Sequence, residues 1–271
     1  MTAVTGLSPA ALAFDSVAAA FDARFGTWRS VAAQRRAVRN ELAKAFPVGS
    51  RLIELGGGTG EDARWLATRG RDVTLTDPAP AMVARARAKL EGLANVRALV
   101  ASAERIGAIA APGDPPFDGA YSNFAALNCV TDLDTVSRGL GALLRPGAPA
   151  LLVLFGTACP GEAIVECARG RPRNALRRLA RGDVPARLDG HHFVVRYHRA
   201  AAIRRAMAPW FAYRGRIGIG VFVPPSAAEP WISRHPGLLD IQERLDRALA
   251  RPLAALGDHV LYHFVRTEAA P

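Results

Sequence analysis

One stretch limits the possible folds of this chain more than any other: Arg51-Leu-Ile-Glu-Leu-Gly-Gly-Gly-Thr-Gly-Glu-Asp62. Leu52, Ile53 and Leu55 form an apolar run with an acid, Glu54, inside it. Gly56, Gly58 and Gly60 follow at alternate positions, and Glu61 to Ala67 has the composition of a helix. Strand, glycine turn and helix in this order make the first nucleotide-binding corner of an open α/β sheet. Glycine suits the turn because it takes positive φ and lets backbone approach a ligand closely.

The acid, one residue and then Gly-x-Gly-x-Gly resemble motif I of the class I S-adenosylmethionine-dependent methyltransferases, with Glu54, Gly56, Gly57, Gly58 and Gly60 as its residues. A dinucleotide dehydrogenase shows Gly-x-Gly-x-x-Gly instead. Glu54 and Asp62 also bracket the glycines, where carboxylates would repel a pyrophosphate but suit the ammonium and sulfonium of a methionine. Asp77 ends the next apolar stretch, Asp72 to Thr76. An acid there can accept both hydroxyls of a ribose, or it can cap the helix that follows. The resemblance implies the ribose role, and it matches Pro78 and Met82 to the apolar positions flanking an adenine. Ser102 and Ala103 stand where the family often carries Asp-Ala. The serine can still accept a bond from the adenine amino group, more weakly than a carboxylate. Phe117 to Asn128 matches motif IV, which implies that Asn123 and Phe124 lie beside the sulfur. This Ser-Asn-Phe-Ala differs from the Asn/Asp-Pro-Pro-aromatic of enzymes that methylate nucleic-acid bases. Upstream, Phe14-Asp15-Ser-Val-Ala-Ala-Ala-Phe21-Asp22 resembles a segment that caps the cofactor in small-molecule methyltransferases, bringing Phe14 and Phe21 to the site.

Read in order, residues 1–10 are expected to be irregular and 11–46 helical, forming an N-terminal cap. The core domain is expected over 47–271. Its strands fall at 51–55, 72–76, 96–100, in the motif IV stretch, at 148–155, 212–223 and 259–266, with helices at 61–69, after Pro80, at 134–144 and near 238–249. Ala148 to Phe155 is wholly apolar, as a central strand is. The expected fold is α/β, a Rossmann-like, seven-stranded, mostly parallel sheet with helices on both faces. Residues 157–210 depart from the minimal fold and are read as a lid or substrate cap. Six arginines between Arg169 and Arg181 suggest a helix with a solvated basic face. His191 to Tyr197 alternates like a strand.

The chain has 271 residues, a formal charge of +11, and lysine only at Lys44 and Lys89. Basic charge alone is a footprint of nucleic-acid binding and not a binding mode. The arginine, alanine, glycine and proline bias fits a GC-rich genome, so no specific nucleic-acid partner is expected. Cys129, Cys159 and Cys167 form no disulfide framework, which points to a reducing, cytoplasmic setting. The N-terminus lacks the pattern of a signal peptide, no apolar run is long enough to span a bilayer, and no membrane partner is expected. His259 and His263 share a strand face without further ligands at metal spacing, so no metal is expected and that strand reads as structural. His191, His192 and His198 follow the lid, where the family builds its substrate pocket; a histidine there could take a proton, and His191 and His192 are the candidate proton acceptors. The resemblance implies methyl transfer from S-adenosylmethionine to an O, N or C nucleophile of a small molecule, leaving S-adenosylhomocysteine. The protein would align the acceptor about 3 Å from the methyl and exclude water, acting as a monomer or homodimer. A nicotinamide-dependent oxidoreductase and a non-catalytic cofactor-binding relative are the alternatives.

Overall fold

A computed structural model describes residues 6–111 and 113–268. Three helices come first: α1 (Pro9–Val17), α2 (Phe21–Phe25) and α3 (Arg29–Ala45). The α/β succession follows as β1 (Arg51–Leu55), α4 (Glu61–Ala67), β2 (Asp72–Asp77), α5 (Pro80–Lys89), β3 (Val96–Val100), β4 (Gly119–Ser122), α6 (Leu133–Leu143) and β5 (Pro149–Phe155). After β5 come α7 (Pro160–Ala168), α8 (Pro172–Ala175), β6 (Asp183–Leu188), β7 (His191–Arg196) and α9 (Ala200–Met207). β8 (Phe211–Ile219), α10 (Pro236–Leu249) and β9 (His259–Arg266) complete the chain.

Seven strands form one sheet in the order β3-β2-β1-β4-β5-β9-β8. The first five run parallel, while β9 is antiparallel to both β5 and β8. Successive side chains on a strand face opposite sides, so each strand supplies two cores. Ile53 and Leu55 face one layer with Leu152, Leu154, Val260 and Phe264, covered by α6 and α9 through Val136, Leu140 and Ile203. Leu52 faces the other layer with Leu75, Val153 and Leu261, covered by α3, α4 and α5 through Leu42, Leu66 and Val83. The seven-stranded, mostly parallel Rossmann-like sheet with helices on both faces is therefore the fold. β5 is flanked on both sides, as its apolar sequence required. Among the described residues, no helix is long and apolar enough to cross a membrane.

Several local expectations change. The irregular N-terminus ends earlier than residue 10: Ser8 caps α1 by accepting a bond from Ala11 N at 3.2 Å, while residues 1–5 lie outside the described residues. α3 belongs to the core and not only to a cap, since Val38, Leu42 and Phe46 are buried against the sheet. The 169–181 stretch is not one helix. Gly170 takes φ +71° and ends α7, Pro172 starts a single turn, and a 3₁₀ turn spans Arg177–Leu179. Nor is its face simply solvated. Arg171 pairs with Glu166, Arg177 with Glu162, and Arg178 is buried with Glu162 and Asp258. The strand expected at 212–223 stops at Ile219, where Gly220 turns with φ +67°. β7 pairs with β6 in a separate hairpin, β6 being an element the sequence reading did not include.

Candidate functional site

A cleft of about 1410 Å³ runs along the carboxyl ends of β1, β2, β4 and β5, roofed by α1, α2 and the start of α3. This is the edge where open α/β sheets place ligands. The volume exceeds the roughly 300–1,000 Å³ of a pocket for one drug-sized molecule, so there is room for two. Glu54, Gly56, Gly57, Gly58, Asp77, Pro78, Met82, Ser102, Ala103, Asn123, Phe124, Phe14 and Phe21 all line it. Gly60 does not line the cleft; with φ +83° it starts α4, its Cα side facing Ala86 and Leu90.

The glycine turn is shaped by two opposite constraints. A Cβ on Gly57 would lie 2.5 Å from Leu75 Cγ and 2.8 Å from Glu54 Cδ, so only glycine fits the packed floor. Gly58, at φ +54°, faces open space, leaving an exposed backbone ledge. Its N–H donates to Asp77 Oδ2 at 2.9 Å, and Ala79 N–H donates to Asp77 Oδ1 at 2.9 Å. Asp77 is thus not the cap of α5, whose N-cap is Ala79 with no side-chain bond; it closes the turn before that helix and ties β2 to the glycine turn. Each carboxylate oxygen keeps a second lone pair for an outside donor. Burial pushes the Asp77 carboxyl up, against the pull of its two backbone donors.

Glu54 is 2% exposed; its Oε2 is not aligned with any donor, although the buried Tyr121 hydroxyl, itself unpaired, lies near enough to pull the acid down. Burial, and then the neighbouring Asp62 carboxylate, raise its acid to about 8. Buried polar atoms are nearly always paired, so an orphan carboxyl at a cleft wall is a place for an outside donor. Asp62 is the contrasting case. Burial alone would raise it, but Arg35 at 2.8 Å and Arg39 at 2.7 Å outweigh that and hold it below the usual carboxylate range. Asn123 Nδ2 donates to the same carboxylate at 2.8 Å, and the Arg35 guanidinium lies 4.5 Å over the Phe124 ring. α3 is thus tied to the glycine corner and to the end of β4 through one acid. Phe124 and Ala125 have φ of +48° and +59°. Strained non-glycine backbone of this kind persists where surrounding structure fixes it, and it clusters at functional sites.

The cap is joined to the corner by acids. Asp15 accepts from Ala81 N at 2.6 Å, and Asp22 binds Thr59 Oγ1 and Lys89 Nζ at 2.6 Å each. Phe14 sits 5.9 Å from Phe193 of β7, so the N-terminal helices and the 157–210 segment meet over the cleft.

The histidines fall differently from expectation. His191 and His192 are exposed on the outer hairpin and do not line the cleft, so they cannot serve as its proton acceptors. His198 is buried with Nε2 3.0 Å from Val130 O. His259 does line the cleft, stacked at 4.9 Å on Phe155 and met edge-on by Phe124 at 5.9 Å. β9 is structural, paired with both β5 and β8, and its first residue also borders the cleft. Among the described residues, no group of three or more His, Cys, Asp or Glu could hold a metal ion.

Residues 52–147 match a family described as a methyltransferase domain. Over 149 residues the chain is 33% identical to a ubiquinone/menaquinone biosynthesis C-methyltransferase of Rubrivivax gelatinosus, covering 53% of this chain and 55% of that protein. It is 30% identical over 149 residues to a malonyl-[acyl-carrier protein] O-methyltransferase of Pectobacterium atrosepticum, covering 54% of each. The chain thus spans about half the length of the curated relatives it matches. An S-adenosylmethionine dependent methyltransferase from Mesorhizobium loti shares the fold, with a TM-score of 0.55, 21% identity, and coverage of 86% of this chain and 98% of that one.

Proposed function

We propose that this chain, a member of the class I S-adenosylmethionine-dependent methyltransferase family, transfers a methyl group from S-adenosylmethionine to a small-molecule acceptor. The observation that carries the reading is the set of unmet groups along one cleft wall. Glu54 Oε2 lacks a partner, the Gly58 ledge is open, and Asp77 has lone pairs to spare. An ammonium, a methionine backbone and a ribose diol are the complements of these three, in strand order β1 to β2. A pyrophosphate would instead meet the Asp62 and Asp77 carboxylates. This chain's residues fit the sulfur nucleoside and disfavour a dinucleotide.

Pro78, Met82, Ser102 and Ala103 would hold the base, with Ser102 supplying its hydroxyl. When bound, the cofactor supplies a methyl on a sulfonium, already activated for displacement. The chain's part is to position the acceptor in line and keep water out, which proximity alone makes effective. Asn123 and Phe124, at the end of β4, stand between the cofactor side and the rest of the cleft. Phe14 and Phe21 line the roof beside Met82 and can present aromatic faces to a cation, a contact worth ~0.5–2 kcal/mol.

Isothermal calorimetry tests this directly. S-adenosylmethionine and S-adenosylhomocysteine should bind saturably while NAD(H) gives no heat. Saturable NAD(H) binding without binding of either sulfur nucleoside would overturn the proposal. Transfer of labelled methyl into a cell extract then separates an enzyme from a non-catalytic relative.

A further inference from the structure

The cleft has a second half that the cofactor reading leaves unused. From β1 the sheet continues through β4 and β5 to β9, three strand spacings or roughly 14 Å. There the antiparallel register sets His259 opposite Phe155, so the first residue of β9 arrives at the same edge as the last residue of β5. His259 is 6% exposed, clamped between the Phe155 and Phe124 rings, and lines the cleft. Its Nδ1 lies 3.3 Å from Asp258 Oδ2, within ion-pair distance but not aligned as a hydrogen bond, which leaves this buried nitrogen without another partner. Asp258 is itself held from three sides. Arg178 Nη2 reaches Oδ1 at 2.5 Å, Gln34 Nε2 donates to Oδ2 at 3.1 Å, and Cys159 Sγ lies 4.0 Å from Oδ1. Glu162 closes the cluster by pairing with Arg178 and Arg177.

A buried arginine paired to two carboxylates is explained by its own neutralisation. A histidine placed against one of those carboxylates, with its ring fixed by aromatic walls and its far edge on a cleft, is not. The same carboxylate–imidazole pairing fixes tautomer and orientation in nucleophilic active sites. We propose that His259 takes the proton of the methyl acceptor, with Asp258 holding Nδ1–H and leaving Nε2 free toward the cleft. This rests on the methyl-transfer reading and adds the acceptor class to it: a hydroxyl, amine or thiol on an apolar frame, seated between Phe124, Phe155, Leu127 and Val130. The acceptor X–H bond breaks and its proton forms N–H at Nε2. The electron pair left on X becomes the bond from X to the methyl carbon. The C–S pair goes to sulfur, giving neutral S-adenosylhomocysteine, and the imidazolium beside Asp258 later releases its proton to water.

Two measurements on the full chain test this without knowing the acceptor. The first is long-range proton–nitrogen NMR of protein labelled with ¹⁵N-histidine, assigned with His259→Gln. Neutral His259 should be the Nδ1–H tautomer, with Asp258 beside that nitrogen. An Nε2–H tautomer would overturn the proposal. The second needs no variant. Diethyl pyrocarbonate should modify native His259 through Nε2, with exposed His191 and His192 as reactive controls and His198, bonded to Val130 O, as the inert one. His259 as unreactive as His198 would equally overturn it. His259→Gln should keep S-adenosylhomocysteine affinity within about threefold, and a larger loss would place His259 in the cofactor site instead. Failure of the wild-type protein to bind S-adenosylhomocysteine would sink the methyl-transfer reading itself, whatever the tautomer.

Discussion

The Glu54 carboxyl gives the sharpest test of how the cofactor side works. In the free protein it sits at about 8, raised by burial and by Asp62. At pH 6.5 more than about nine-tenths of the molecules therefore carry a proton there, while an α-amino group, at about 7.7–8.0, is still charged. If an ammonium docks on Oε2, it favours the carboxylate and expels that proton. Calorimetry at pH 6.5 in buffers of different ionisation enthalpy should then show about 0.9 proton released per S-adenosylhomocysteine bound. Glu54→Gln should abolish the release and weaken binding by about one to two powers of ten, since a hydrogen bond to a charged group is worth about 1.5–3 kcal/mol. The same shift acts on stability. A folded-state acid raised above its unfolded value stabilises the fold fully below pH 4.5 and loses that contribution as pH rises through 8. At about 1.4 kcal/mol per unit, this amounts to ~5 kcal/mol across the window. Glu54→Gln should therefore flatten the fall in unfolding free energy between pH 5 and 8. No proton release in the wild type, or the same release in Glu54→Gln, would refute the assignment.

Three other outcomes follow from named contacts. Asp77→Asn keeps an acceptor for only one of the Gly58 and Ala79 N–H groups, which reach different carboxylate oxygens, and sets an amide donor against the other; it should cost about one to two powers of ten in cofactor affinity and about 1–3 kcal/mol of stability, and unchanged affinity would leave Asp77 a purely structural role. Arg178→Met leaves Glu162 with Arg177 alone and Asp258 with only Gln34 and the His259 ring, and should destabilise by about 3–5 kcal/mol in urea unfolding, whereas a loss below about 1 kcal/mol would show that the remaining partners suffice. Deleting residues 1–28 spares α3 and should leave a folded core by circular dichroism while abolishing methyl transfer; normal turnover by the truncated chain would remove the cap from the mechanism.

What the sequence made legible was local. β1, its glycine turn and Asp77 lie within one βαβ unit, so period, turn chemistry and spacing were all readable there. α3 was harder: Val31, Arg35, Val38, Leu42 and Phe46 follow one helical stripe, but the stripe divides by depth. Val38, Leu42 and Phe46 enter the core, while Arg35 reaches Asp62. The hairpin strand β6 had a usable signal, since Asp189-Gly190 is a favoured two-residue turn, and both residues take positive φ, +47° and +83°. His259 had none. Its neighbours Phe124 and Phe155 come from distant points of the chain, and only the antiparallel return of β9 brings them together. His191 and His192 were favoured by their place after the lid, but they open β7 beside the hairpin turn, where both faces of the strand meet solvent.

The anchoring of the 157–210 segment decides how the cleft can open. At its root, Arg178 bridges Glu162 of α7, Asp258, and the carbonyl of Gly156 just after β5, all buried. That end is fixed to the sheet by charges that cannot separate without leaving one unpaired in the interior. At its far end the segment packs on α1 through Phe193 against Phe14 and through Leu188, and α1 meets α5 through the Asp15–Ala81 bond and an apolar cluster of Val17, Ala18 and Met82, with Arg85 donating to Ala19 O beside it. This seam is held by apolar contacts and hydrogen bonds instead of buried charge, so it opens at lower cost than the root. Entry and release therefore belong at the α1–β7 seam, with the ion cluster and His259 staying in place. Hydrogen exchange should be fast across Pro9–Val17 and His191–Arg196, slow across Val260–Arg266, and selectively slowed in the first two by S-adenosylhomocysteine. Equal protection of all three segments, or no response of α1 to the ligand, would place the gate elsewhere.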